Sequence, residues 1–517
     1  MRTPLARRFC TLLWLVAVSM PSAASGDDAE LGIAGAEPGL ASPEPGDSGV
    51  EPGPAGPEPG LADVEPGPAS AKLGLADAVR QTLEANLDLA AQRRNLAAAE
   101  EEISVVRSNL LPQIDLGARV QRLNSDRSDG DRGTTTQESV AVAAKLTQVL
   151  YDEMDWANYT IQKHVYDQQR AQFEAFEDGV VQEAADAFLE LDRARSQLDI
   201  QQRNRELTAR NLETSRTRIA AGWSSEREVL RWESQLATND TDVVDARTQV
   251  LVNRFELNRV RNLSAETAIA PLPAGIEEYG FVYAREGIAR AIATPESDRR
   301  LRDLLVAIGL ARSPELAQID AAIAASERLL AANKRAFWVP SLSAAAGIDH
   351  LAASSSGSGA ADFDETEWGA GATLTFPLLE GGAKFARLRQ TGEALSGLRV
   401  QRRATGQSVD QSIRAAFAAA SGAYHNVATA RRQEAAAQRN FELVDESYVL
   451  GVASILSLLD AQSQLLNANL AVADSVYAFL EAVIDAEKQL ALYPFLEPEA
   501  EMTALLDRIE RQLQVKP

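Results

Sequence analysis

Side chains able to do chemistry are sparse in this chain and badly spaced for it. The three histidines, His164, His350 and His425, lie far apart and share no metal-ligand spacing. The single cysteine, Cys10, sits in an apolar stretch near the start, so the rest of the chain offers no disulfide, thiolate metal site or cysteine nucleophile. No phosphate-binding loop or nucleophile motif occurs. The 74 acidic side chains, against 51 basic ones, are most simply the solvated faces of helices. An enzyme, a metal centre and a resident cofactor are therefore poorly supported. The formal charge of −23 argues against nucleic acid, because no basic face could neutralise phosphates. It suits a surface that attracts cations.

The residues that do form a pattern form it twice. Gly222 to Leu236 aligns without gaps on Gly451 to Leu465, and six pairs are identical: the two glycines, Ser225/Ser454, Leu230/Leu459, Ser234/Ser463, Gln235/Gln464 and Leu236/Leu465. Leu110-Leu111-Pro112 returns as Trp338-Val339-Pro340, and Leu146 to Leu150 returns as Leu374 to Leu378. A duplication of this length is no solenoid of short repeats. It makes two similar halves that must pack side by side. Each half has a glycine, Gly222 or Gly451, where a helical run breaks; glycine permits the left-handed turn that ends a helix. Trp223 lies beside the first of them, and an aromatic at a loop tip is a natural binding hot spot.

The elements that position these tips follow from periodicity. Residues 1–25 read as an export signal: Arg2, Arg7 and Arg8, then an apolar run from Phe9 to Met20, then small residues at Ser22-Ala23-Ala24-Ser25. The apolar run is too short to span a membrane comfortably as an anchor. Cys10 is too early to be the acylated first residue of a lipoprotein. Residues 26–72 repeat Glu-Pro-Gly at Glu37, Glu44, Glu51, Glu58 and Glu65, and proline at that period breaks helix. The segment reads as an extended tether.

From Leu73 an apolar stripe of near-helical spacing runs to Asn109 and stops at Pro112. Alternation then takes over. Ile114, Leu116, Ala118 and Val120 share one face of a strand, and Val140, Val142, Ala144 and Leu146 share one face of a second. Together they predict a hairpin over 113–148. Tyr151 to about Ile219 predicts a single helix of ~100 Å at 1.5 Å per residue. Its seam of Val181, Ala184, Phe188, Leu191, Ala194 and Leu198 is coiled-coil-like. Glu226 to Asn262 returns antiparallel to it. Residues 263–301 carry Pro271, Pro273 and Pro295 and predict an irregular connector. The cycle then restarts over 302–492. A helix over 303–338 precedes strands on Leu342, Ala344, Ala346, Ile348 and on Trp368, Ala370, Ala372, Leu374, Phe376, which make a hairpin over 341–377. A loop is expected from Ala352 to Ala361. A second helical hairpin turns near Gly451. The tail, 493–517, contains a short amphipathic stretch of unreadable role.

The fold class is thus mainly α, with duplicated long helical hairpins and four β-strands. No later run of about 18 apolar residues predicts a transmembrane helix. Each β-hairpin presents an apolar face that nothing in its own chain covers. Four short strands cannot close a barrel, and open edges are not tolerated in hydrocarbon. Several copies are therefore expected to pool their strands into one closed barrel. A small soluble sheet buried on helices is the alternative.

These residues resemble the TolC-type outer-membrane efflux protein family. Leu75-Ala76-Asp77-Ala78-Val79 with Leu83-Glu84-Ala85-Asn86 is similar to the family's opening helix, and Ala311 to Leu316 to its second copy. Pro377-Leu378-Leu379-Glu380-Gly381-Gly382 resembles its strand-to-helix junction, although Gln148 to Asp152 in the first half lacks the glycines. Tyr448-Val449-Leu450-Gly451 followed by Ile455 to Gln462 resembles its hairpin tip. The resemblance covers residues 73–492.

It implies a homotrimer with a twelve-stranded outer-membrane barrel and a periplasmic helical tunnel, and an outer-membrane location in a Gram-negative bacterium with the tether in the periplasm. It also implies a periplasmic adaptor and an inner-membrane pump as partners, outer-membrane lipid as surroundings, and a passive exit duct for drugs, metal ions or type I secreted protein. The adaptor-contact tips would be Gly222, Trp223 and Ser224 with Gly451, Val452 and Ala453. Tyr448 matches a tyrosine that locks neighbouring coiled coils. Asp460 matches one of two acidic ring positions and Ser457 occupies the other. Glu228 matches an acid on the first tip, and Ala453 stands where some members carry a basic tether. A ring of three Asp460 would bind cations and repel itself when empty. Two other readings compete. A periplasmic adaptor predicts one helical hairpin between Gly-rich β halves, and a coiled-coil envelope protein predicts no pore.

Overall fold

The computed structural model describes residues 72–122, 138–220, 225–271, 295–355 and 366–496, with a few isolated positions between 503 and 511. The expected export signal, the Glu-Pro-Gly tether, the first helical tip, much of the connector and most of the tail lie outside the described residues. In chain order the elements are β1 (Lys72–Leu73), α1 (Leu75–Ala85), α2 (Leu87–Ser108), β2 (Gln113–Arg122), β3 (Glu138–Tyr151), α3 (Glu153–Ala220) and α4 (Glu226–Val260). Then follow β4 (Ala270–Pro271), α5 (Pro295–Arg312), α6 (Pro314–Arg335), β5 (Ser341–Ser355), β6 (Thr366–Thr375), α7 (Ala383–Val449) and α8 (Ile455–Gln489). Among the described residues no helix is long and apolar enough to cross a membrane.

The four long strands form one antiparallel sheet in the order β2-β3-β5-β6. Its register joins the apolar positions into one continuous face. Leu116 pairs with Ala144, Ala144 with Ile348, and Ile348 with Trp368. Because side chains alternate along a strand, this row settles the face for the stretch between the register shifts at Val140/Ala141 and Val149/Tyr151. The opposite face carries Asp115, Gly117, Ala143, Lys145, Gly347, Asp349, Glu367 and Gly369. The apolar face is bare: Leu116 is 78% exposed, Val120 80% and Trp368 79%. β2 and β6 are both open edges.

Residues 352–355 were expected in a loop and instead extend β5. Ala353 and Ser354 pair with Val140 and Ser139 across a bulge at Val140/Ala141. The ladder satisfies these backbone groups, which outweighs the weak strand preference of Ala and Ser.

The helices repeat as the sequence does. α3 has 68 residues and α7 has 67; α4 and α8 have 35 each. At 1.5 Å per residue the long arms span about 100 Å and the return arms about half of that. The remainder of α3 packs on α2 and α6. There Glu153, at the start of α3, accepts from Arg328 at 2.8 Å and Arg335 at 3.1 Å. Both return arms end in the same way. Asn262 and Ala491 adopt left-handed φ of 53° and 48°. Leu263 N–H reaches Asn258 O at 2.8 Å, and Leu492 N–H reaches Glu487 O at 3.1 Å. These are two Schellman stops at matching places in the duplicated halves.

Two single helices of the sequence reading are each broken in two. The stripe expected from Leu73 to Asn109 divides at Asn86, whose Oδ1 accepts from Leu89 N–H at 2.9 Å and whose Nδ2 donates to Val260 O at 3.0 Å. The helix expected over 303–338 starts earlier, at Pro295, and divides at Ser313. There the hydroxyl oxygen caps Leu316 N–H at 3.2 Å and Pro314 takes the first helical position. A polar cap satisfies a new helix start at each place.

The main core lies where α1, α3, α5, α7 and α8 meet, around Val79, Phe188, Leu305, Ile413, Phe479 and Leu480. α5 approaches closely because Gly309 has no side chain: a Cβ there would stand 2.4 Å from Ile413 Cδ1 and 3.3 Å from Gln489 O. A second core near the helical tips gathers Leu212, Trp232, Phe441, Tyr448, Leu458 and Leu465.

Candidate functional site

The second tip is a tight reversal built on Gly451. Its φ of +77° places it in left-handed space. Gly451 N–H bonds Tyr448 O at 3.0 Å, and Val452 N–H bonds Ser447 O at 2.9 Å, a Schellman stop. Ser454 then caps α8 by accepting from Ser457 N–H at 3.2 Å. The turn leaves Leu450 and Val452 projecting, 72% and 82% exposed, while Ala453 packs against the tip core. The first tip, with Gly222, Trp223 and Ser224, lies outside the described residues.

Of the four gate positions read from sequence, two come together. The Tyr448 hydroxyl donates to Glu228 Oε1 at 2.6 Å, joining the end of α7 to the first turn of α4. Tyr448 is 2% exposed. Burial first, and the bond to Glu228 second, push its hydroxyl pKa up, so it stays a donor across the physiological range. Asp460 and Ser457 lie elsewhere, on the exposed face of α8. Asp460 Oδ2 accepts from Gln464 Nε2 at 2.8 Å. The Ser457 hydroxyl meets that of Ser454 at 3.1 Å.

Two features of the tip were missed in the sequence. Arg218, near the end of α3, donates from Nη1 to Tyr448 O at 2.9 Å, and its guanidinium stands 4.6 Å from the centre of the Tyr448 ring. It thereby satisfies a carbonyl at the negative end of α7 and makes a cation–π contact. Nothing in local spacing distinguishes Arg218 from Arg210 or Arg216. The second feature is a buried polar cluster above the tip. Gln462 Nε2 donates to Asn204 Oδ1 at 2.9 Å and to Thr208 Oγ1 at 2.7 Å. Asn239 Nδ2 donates to the same hydroxyl at 2.7 Å, and Asn211 Nδ2 to Gln462 Oε1 at 3.3 Å. The cluster ties α3, α4 and α8 in one register. A signal for it was present: Gln462 falls on the buried stripe of Leu458, Ala461 and Leu465, where a polar residue needs partners.

The sequence model described as "Outer membrane efflux protein" matches residues 78–262 and 305–490, one match in each half. The chain belongs to the outer membrane efflux protein family. Outer membrane protein TolC of Salmonella enteritidis is 24% identical over 375 residues, 72% of each chain. TolC of Escherichia coli is 23% identical over 414 residues, 79% of each chain. The fold is that of solved channels. The open MtrE outer membrane channel of Neisseria gonorrhoeae superposes with a TM-score of 0.63 at 19% identity, over 82% of this chain and 89% of that one. The protein is thus an outer-membrane efflux duct by family, mostly helical with a small antiparallel sheet.

Proposed function

We propose that three copies of this chain close one twelve-stranded barrel in the outer membrane, and that their helical hairpins continue it as a periplasmic tunnel. The observation that carries this reading is the sheet. Both its edges are unpaired, and its apolar face is exposed at Leu116, Val120 and Trp368 and half-buried or exposed along the rest. A hydrocarbon environment demands a closed ladder, and this chain supplies only four strands toward one. The face opposite, with Asp115, Lys145, Asp349, Glu367 and several glycines, suits a wet lumen. The connector within 263–301 would form a belt around the tunnel.

The tips define the inner end. Three Tyr448–Glu228–Arg218 clusters would hold the hairpins together in the resting state. Asp460 and Ser457, on the exposed face of α8, would face the axis as a cation-attracting constriction. The projecting Leu450 and Val452, with Trp223 of the other tip, would receive a periplasmic adaptor that links the duct to an inner-membrane pump. Passage would be passive, and the pump would choose the cargo: drugs, metal ions or secreted protein. A periplasmic adaptor is a poorer reading, since this chain has two long helical hairpins.

Planar-bilayer recording on purified protein tests the proposal. The reading expects discrete single channels that divalent cations block from one side. Protein that inserts but never conducts would contradict it.

A further inference from the structure

The seam between α3 and α8 holds more carboxylates than cations. α3 contributes Asp186 and Glu190, and α8 contributes Glu481 and Asp485; Asp186 is within electrostatic reach of Asp485 and Glu190, and Glu481 of Glu190 and Asp186. Among the described residues, Arg193 and Lys488 are the cations that act on Asp186 and Glu481. Arg193 is divided among Asp474 at 3.0 Å, Glu190 at 3.4 Å and Glu481 at 3.8 Å. Lys488 faces Asp178 and Asp186, and its Nζ donates to Gln182 Oε1 at 2.5 Å. On α4, Arg259 is bound to Glu183 at 2.5 Å and to Glu256 at 2.6 Å. From α6, Glu315 adds a further negative charge near Asp178. Just beyond α8, Tyr493 donates its hydroxyl to Asp178 O at 3.0 Å. On the α4 side of α3, a cleft of about 490 Å³ is lined by Gln182, Glu183, Asp186, Glu190 and Glu256. One oxygen of Glu481 is buried with no donor.

We propose that this seam is a proton-operated clamp, which holds α8 against α3 when its carboxyls are protonated and loosens the two helices when they ionise. The idea rests on the fold of one chain and goes beyond the duct reading. Carboxylates this crowded relieve their repulsion by taking up protons, and a carboxyl can donate where a carboxylate cannot. Burial first, and neighbouring carboxylates second, raise Asp186 to about 6 and Glu481 to about 7. Asp178, one helical stretch earlier, is raised to about 7 for the same reasons. Groups raised in the folded state bind protons that the loosened state releases. Their stabilisation is full below the ordinary carboxylate range of about 4 and fades as pH climbs through about 6 to 7.

Hydrogen–deuterium exchange on the intact, detergent-purified protein tests the clamp whether or not the protein conducts. After correction for intrinsic rates, amides in 178–198 and 470–490 should exchange at least roughly tenfold faster at about pH 8 than at about pH 5.5, the change that one pKa unit on one group produces. The Asp186→Asn/Glu481→Gln variant should show a much smaller step, the remainder coming from Asp178. Asp474→Asn, which leaves more of Arg193 for Glu190 and Glu481, should move the step to lower pH. Equal protection of the wild-type seam at both pH values would overturn the proposal. So would an unchanged step in the double variant, or a step that stays in place in Asp474→Asn.

Discussion

Tyr448→Phe removes one oxygen atom from the tip and leaves nearly everything else in place. The ring still fills the second core beside Trp232 and Leu458, and Arg218 still stacks on it and bonds the carbonyl at residue 448. What is lost is the 2.6 Å bond from the hydroxyl to Glu228. A hydrogen bond to a charged acceptor contributes about 1.5–3 kcal/mol net. Glu228 is half-buried and can turn toward water, which places the loss at the lower end of that range. A loss of about 1.5 kcal/mol shifts the tip's closing equilibrium roughly tenfold in each protomer. Three protomers opening together would compound it. The assay is single-channel recording with matched thermal unfolding. Open probability or conductance should rise strongly, while the melting temperature of the assembly moves by only a few degrees. Because the hydroxyl is pushed up in pKa, the effect should be the same at pH 6 and pH 8. Unchanged conductance in a properly assembled variant would refute the lock.

Asp460→Ala should raise conductance or weaken divalent block, read in the same bilayers; values equal to wild type would remove Asp460 from the constriction. Trp223→Ala should reduce crosslinking to a periplasmic adaptor without loss of assembly, and full crosslinking would leave Trp223 with a turn role only. Ala491→Gly should stabilise the fold by up to about 1 kcal/mol, because Ala491 pays for left-handed backbone at φ 48° that glycine adopts freely. Denaturant titration checks this, and a destabilised variant would contradict it.

Much of the fold was legible because its strands alternate strictly. Ile114, Leu116, Ala144, Leu146, Ile348 and Trp368, between the two register shifts of β3, obey one parity, so a local pattern of period two determined which side of the middle of the sheet is apolar. Gly451 was legible as a tip because a left-handed helix stop demands little else. The breaks at Asn86 and Ser313 were harder. The apolar stripe runs through them, and what divides the helix at Asn86 is a bond to Val260 O, 174 positions away. The contact among Tyr448, Glu228 and Arg218 was half legible. Tyr448 and Glu228 each matched a family position, but Arg218 acts on Tyr448 across 230 positions and leaves no local signature. The α3–α8 seam was illegible for the opposite reason. Asp186, Glu190, Glu481 and Asp485 look like ordinary solvated helix faces until packing brings the two helices together.

The central claim is that the sheet's open edges are closed by other copies of the same chain. Its most direct test is a cysteine placed on β2 with one on β6, at outward positions of both edges, in protein whose native cysteine, Cys10, has been replaced. Scanned over a few registers and oxidised in outer membranes, some pair should give a covalently closed trimer in denaturing gels. A chain that stays monomeric in every register, and that purifies in water without detergent, would contradict the account.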